Sequence, residues 1–160
     1  AWAVDDDPVE SVYLDDPDDV RPILDTLYRV VGKAQNVTWI GHNIAGFDLP
    51  YLRHAAFRLR HPVARLIPAA RFSPNVIDTM LMWAGTDAHR MVGLAKIAAF
   101  LGLDEKAGGL DGSLIYQAWL DGRHADIRAY GERDVELVRD VYQVMTGLYN
   151  KTVSNSECPF

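Results

Sequence analysis

Apolar residues recur at Val20, Ile23, Leu24, Leu27, Tyr28 and Val31, the three- and four-residue steps of one helical face. Acids at Asp16, Asp18 and Asp19 precede this face and Gly32 follows it, so an amphipathic helix is expected there. Before it, Trp2 to Val4 and Val9 to Leu14 read as two short strands of a hairpin, joined by the acidic turn Asp5-Asp6-Asp7-Pro8. Val37 to Gly41 is a short apolar run suited to a strand covered on both faces. After a small polar loop, the pattern turns helical from Asp48 to about Leu59. Pro62 to Pro74 reads as an irregular, basic connection. Val76-Ile77-Asp78 predicts another short strand passing into a helix over Thr79 to Trp83.

Leu94, Ile97, Ala98 and Leu101 predict a compact helix ended by Gly102, and Asp104 to Gly112 a loop. Ser113 to Leu120 reads as a short helix stopped by Gly122. Asp126 is the expected cap of a long last helix reaching about Leu148. Strands come early and helices alternate with them, an α/β arrangement. One domain over residues 1–148 is expected, with a loose polar end over 149–160.

Composition narrows the function classes. A chain of 160 residues with 49% hydrophobic and 24% charged side chains is the size of one globular domain with a real core. A net charge of −6 and a pI near 5.2 argue against gripping nucleic acid by bulk electrostatics. They do not exclude a nuclease, whose carboxylates bind cations that in turn meet phosphates. No apolar run has the length of a membrane span and no basic, apolar leader opens the chain, so a cytoplasmic protein is expected. The single Cys158 and the five histidines (His42, His54, His61, His89, His124) offer neither a disulfide framework nor a zinc spacing. The chain starts at Ala1 without Met and directly in strand-like sequence, as a fragment would.

Two acids stand out. On the last helix Ile127, Gly131, Asp134, Val138, Val141 and Met145 share one face, which puts Asp134 inside the stripe that should meet the core. An unpaired buried carboxylate costs several kcal/mol, so Asp134 needs a cation or hydrogen bonds. Tyr130, one turn earlier, places a phenol beside it. The competing reading is a stripe-edge Asp paired with an Arg. Asp48, followed by Leu49-Pro50, reads as the cap of its helix. The loop before it favours a functional role, since Asn43 and Gly46 suit unusual backbone angles and Phe47 offers a face on which a base could stack. The loop also lies beyond the end of a buried strand, where ligands of open α/β sheets bind.

These segments carry a family resemblance. His42-Asn43-Ile44-Ala45-Gly46-Phe47-Asp48 resembles the second motif of the DnaQ-like (DEDD) 3′–5′ exonucleases, and Tyr130-Gly131-Glu132-Arg133-Asp134 resembles their third motif in its tyrosine form. Val76-Ile77-Asp78-Thr79 resembles the strand and Asp-Thr pair between them. Leu94 to Tyr142, with Leu101-Gly102-Leu103, Lys106, Gly108-Gly109 and Asp111-Gly112-Ser113, is similar to the exonucleases related to the proofreading domain of family B DNA polymerases. The resemblance covers about Trp39 to Leu148 and implies an RNase H-like mixed β-sheet flanked by helices. It implies that Asp48 and Asp134 bind two divalent cations, Mg²⁺ or Mn²⁺, and that Tyr130 orients the attacking water. Asn43 and Phe47 would position the terminal nucleotide, with His42 and Lys106 as further nucleic-acid contacts. The implied substrate is single-stranded DNA or a DNA 3′ end, in a repair or proofreading setting.

The family's first motif, Asp-x-Glu on an apolar strand, has no counterpart: Asp5, Asp6 and Asp7 sit in a turn and Glu10 on an edge-like strand. Trp2 to Val4 is then expected to match the family's second strand, with the first strand lacking and this chain weakly active or inactive. Two rivals remain: a 3′–5′ exoribonuclease, and a catalytically inactive module that binds nucleic acid or protein. Asp78 reads as a helix cap or a further cation ligand. Arg58, Arg60, Arg65 and Arg71 read as a basic rim or an ordinary solvated face.

Overall fold

The computed structural model describes residues 1–14, 16, 18–34, 36–70, 73–87, 91–103, 110 and 112–148. Among them the chain forms α1 (Arg21–Val31), β1 (Trp39–Gly41), α2 (Asp48–Arg58), β2 (Val76–Asp78), α3 (Thr79–Ala84), α4 (Leu94–Phe100), α5 (Ile115–Leu120) and α6 (His124–Met145). Single 3₁₀ turns at Pro62–Arg65 and Gly112–Leu114 join the longer pieces. The class is α/β, with six helices and one small sheet among the described residues. None of those helices is long and apolar enough to cross a membrane.

The sheet is two parallel strands in the register Trp39↔Val76, Ile40↔Ile77 and Gly41↔Asp78. Parallel neighbours need a long crossover, which the α2 segment supplies. The expected mixed sheet is not seen among the described residues. The only antiparallel pairing there is the isolated bridge between Trp2 and Glu10, closed by two backbone hydrogen bonds of 2.8 Å. The hairpin is therefore present as a turn and one bridge, with Asp5 in a left-handed conformation (φ 47°). It is tied to α6: Ser11 donates to Glu132, Tyr13 pairs with His124, and Arg139 donates to the Asp7 carbonyl at 2.6 Å.

Two apolar clusters hold the rest. Leu24 and Val31 of α1, Leu49 and Ala56 of α2, and Val63 and Ile67 form the first, with Trp39, Ile44 and Val76 packed against it. Ile97 and Ala98 of α4, Leu103, and Val141 of α6 form the second, with Val92 and Leu137 alongside. α1 ends at Gly32 as expected, and Asp19 accepts from the Arg21 N–H at 3.1 Å just ahead of it. The last helix departs from expectation. It begins at His124, and Asp126 lies inside its first turn, paired with Arg123 at 2.6 Å, so Asp126 is not its cap.

Candidate functional site

The loop between β1 and α2 is built around the carboxylate of Asp78, which is 5% exposed at the end of β2. One oxygen accepts from the Asn43 N–H at 2.8 Å and the Met80 N–H at 3.0 Å, and the other from the Ala45 N–H at 3.1 Å. Asp78 thus caps α3 and anchors the Asn43 loop with the same group. Sequence reasoning offered a cap or a cation ligand; three backbone donors already surround this carboxylate. Thr79, fully buried, adds a second tie through its hydroxyl, 3.2 Å from the Gly41 carbonyl and 3.0 Å from His42 Nδ1.

His42 Nε2 lies 3.0 Å from the Val92 carbonyl. With the ring neutral, Nε2–H donates to Val92, and the single Thr79 hydroxyl proton is shared between Nδ1 and the Gly41 carbonyl. Burial favours this state by pushing the His42 pKa down, against the opposing pull of the Val92 bond and of Asp78 and Asp134. Both ring nitrogens, which the resemblance would turn toward nucleic acid, are engaged within the protein. Because Val92 leads into α4 while Ile44 packs on the first core, this short loop joins the two clusters.

Steric limits fix the remainder of the loop. Asn43 takes the left-handed conformation expected of it (φ 58°). Gly46 does not; its smallness is what counts, since a Cβ there would lie 2.5 Å from Asn43 Oδ1. A Cβ on Gly41 would lie 2.6 Å from that of Ile44. Phe47, 65% exposed, then serves as the N-cap of α2, and no side chain caps that helix. Asp48 is the first residue of the helix, and its carboxylate is not a cap. The cap expected of Asp48 is therefore not formed, and its carboxylate is engaged by its own backbone N–H instead. Although Asp48 as a residue is exposed, its neighbours desolvate the carboxyl enough to push its pKa up, and Asp78 adds to this, while its own backbone N–H and the Ala1 amino group pull it down.

Asp134 lies half-buried on the inward stripe of α6. Burial pushes its pKa up, while a hydrogen bond from Tyr130 and the charges of Arg133 and His42 pull it down. The Tyr130 hydroxyl is 3.2 Å from where a Cβ on Gly112 would sit. Asp134 thus lies in the field of His42, and Asp48 in that of Asp78. Ala1 also reaches this region: its methyl is 3.9 Å from the Cβ position of Gly131, and its amino group feels Glu132 and Asp48.

Carboxylate oxygens suit Mg²⁺ or Mn²⁺. Yet among the described residues no three His, Cys, Asp or Glu side chains come close enough together to hold an ion. Neither Asp48 nor Asp134 belongs to such a group there. Asp5, Asp6 and Asp7 stand exposed in the hairpin turn and do not complete one. Lys106, Arg71 and the Gly108-Gly109 pair lie outside the described residues.

The model of a family described as a predicted 3′–5′ exonuclease related to the exonuclease domain of PolB matches residues 3–152. The chain belongs to this family. The match to the PolB-related exonucleases extends further toward the N-terminus than the motifs alone indicated, taking in the hairpin and α1 along with the two motif segments. No curated protein and no solved structure matches the chain. Sequence reasoning missed Thr79 and the Val92 carbonyl as the fixings of the Asn43 loop. The Asp-Thr pair after an apolar strand was the available signal, and its Asp78 was read as a helix cap or a further cation ligand.

Proposed function

We propose that this chain is an RNase H-like 3′–5′ exonuclease domain that hydrolyses the terminal phosphodiester of DNA, with Asp48, Tyr130 and Asp134 as its working residues. The observation that carries the proposal is that Asp48 is not the N-cap of its helix and that, among the described residues, Asp134 forms no ion pair with an arginine. Both are desolvated carboxylates whose surroundings oppose ionisation, which is the state a cation relieves. When bound, divalent cations supply a lowered pKa for the attacking water and charge stabilisation for the leaving 3′ oxygen.

The chain's own residues do the rest. Asp48 and Asp134 hold the cations, and the Tyr130 phenol, hydrogen-bonded to Asp134, orients the water. Phe47 and Asn43 position the terminal nucleotide, on a loop held rigid by His42, Asp78 and Thr79. Water oxygen bonds to phosphorus as the bond to the 3′ oxygen breaks, releasing a nucleoside 5′-monophosphate. Since no three ligating side chains gather among the described residues, this 160-residue chain turns over slowly. The same absence favours the rival reading of a module that binds nucleic acid without cutting it.

The test is 3′-labelled single-stranded DNA with Mg²⁺ or Mn²⁺. Slow mononucleotide release is expected, and Asp134→Asn should reduce it by roughly 10²-fold or more, the loss of several kcal/mol of cation stabilisation, while end binding persists. Release unchanged by Asp134→Asn overturns the assignment of Asp134; no release at all supports the binding module; rapid release by the unaltered chain overturns slow turnover.

A further inference from the structure

The outward face of α2 is unlike an ordinary solvated helix face. Phe47, Tyr51, His54 and Arg58 follow one another at steps of four, three and four residues, so they form one stripe along the helix. All four are exposed, Phe47 at 65% and Tyr51 at 56%. Phe57 flanks the stripe, exposed at 58%. The opposite face, Leu49, Leu52, Ala56 and Leu59, is in or against the first core, so the aromatics are not needed to hold the helix. Arg58 makes no ion pair among the described residues, whereas Arg53, off the stripe, is used up by the Pro68 carbonyl at 2.9 Å.

We propose that this stripe is a track for single-stranded nucleic acid leading away from Asp48, with Phe47 and Tyr51 stacking successive bases and His54 and Arg58 meeting the phosphates. The proposal rests on the nuclease reading, since it places the strand's end at Asp48. The helical rise sets Phe47 and Tyr51 about 6 Å apart along the axis and Arg58 about 16 Å from Phe47. Rings spaced in this way, followed by a cation, are the parts of a sequence-tolerant single-strand site. A polyanion is the occupant because the only charge on the stripe is positive, although the chain as a whole carries −6. Phe47 both heads the stripe and closes the Asn43 loop, its N–H donating to the Asn43 carbonyl at 3.0 Å, so the stripe begins beside Asp48.

The experiment is fluorescence anisotropy of a labelled oligothymidylate with the full chain in EDTA at low salt, which needs no catalysis. Tyr51→Ala should weaken binding about five-fold or more, and Tyr51→Phe should restore it, because the ring and not the hydroxyl stacks. Arg58→Gln should weaken binding and lower the salt slope by about one. Arg29→Gln, an exposed arginine on α1, serves as the control and should change nothing. Failure of the unaltered chain to bind, or wild-type affinity in both Tyr51→Ala and Arg58→Gln, overturns the track; so does equal loss in Tyr51→Phe. A parallel Mn²⁺ hydrolysis assay separates the two readings. Hydrolysis with a KM indifferent to Tyr51→Ala sinks the track alone, and binding that obeys the pattern without hydrolysis sinks the nuclease alone.

Discussion

Replacing Asp78 by Ala removes the acceptor for three backbone donors at once, the N–H groups of Asn43, Ala45 and Met80. Hydrogen bonds to a charged group contribute about 1.5–3 kcal/mol each, which would sum to roughly 4–9 kcal/mol if they were independent. They are not, because the loop can open and let water reach Asn43 and Ala45, so a loss of about 3–5 kcal/mol is expected. For a chain of this size that lowers Tm by about 6–20 °C. Asp78→Asn keeps the shape but turns one acceptor into a donor facing an N–H, and should cost about 1–3 kcal/mol. Asp19→Ala is the comparison, since Asp19 accepts a single 3.1 Å bond and is exposed; about 0.5–1.5 kcal/mol is expected there. Urea and thermal unfolding measure all three. Hydrogen exchange adds the local readout, with the Asn43 and Ala45 amides losing protection in Asp78→Asn before the helices do. A cost for Asp78→Ala no larger than that for Asp19→Ala would refute the claim that one carboxylate organises the loop.

Two further outcomes follow from the same geometry. Burial raises the Asp134 pKa, so between the ordinary carboxylate range and the raised value the folded chain binds more protons than the unfolded one, and stability falls as pH rises through that window. Asp134→Asn should therefore be more stable than the parent near neutral pH in EDTA, with the advantage vanishing as pH drops below the ordinary Asp value; Tm measured across pH checks this, and a destabilised variant at neutral pH contradicts it. Gly41→Ala should destabilise by about 1–3 kcal/mol, because its methyl would meet Ile44 at 2.6 Å, and urea midpoints test it.

Local patterns in the sequence were sufficient wherever local physics decides. The acids before α1 and the Gly32 after it gave both ends of that helix, and the two apolar runs gave β1 and β2, although β1 is not covered on both faces as expected, since Ile40 is exposed. Asp48 shows where local reasoning stops. Asp is a good cap in general, but Asn43 turns the chain so that the Phe47 carbonyl starts the helix, leaving Asp48 inside it. The same limit applies to Asp126, which favours a cap position yet was drawn into the first turn beside Arg123. The ties that hold the loop join residues 35 and 50 positions apart, as Asn43 to Asp78 and His42 to Val92, so no window of sequence displays them. The family resemblance carried the candidate residues across that distance, but not the hydrogen bonds that hold them.

The pairing of Gly41 with Asp78 gives the two short strands a built-in check on their own alignment. Side chains alternate across a strand, so sliding β2 by one residue would swing the Asp78 carboxylate to the other side of the sheet and strand the amides of Asn43 and Ala45 without an acceptor. Misaligned strands would therefore forfeit the loop as well as the ladder. Strands of three residues each have few rungs of their own to resist slippage, and here one side chain makes correct threading and a finished loop the same event.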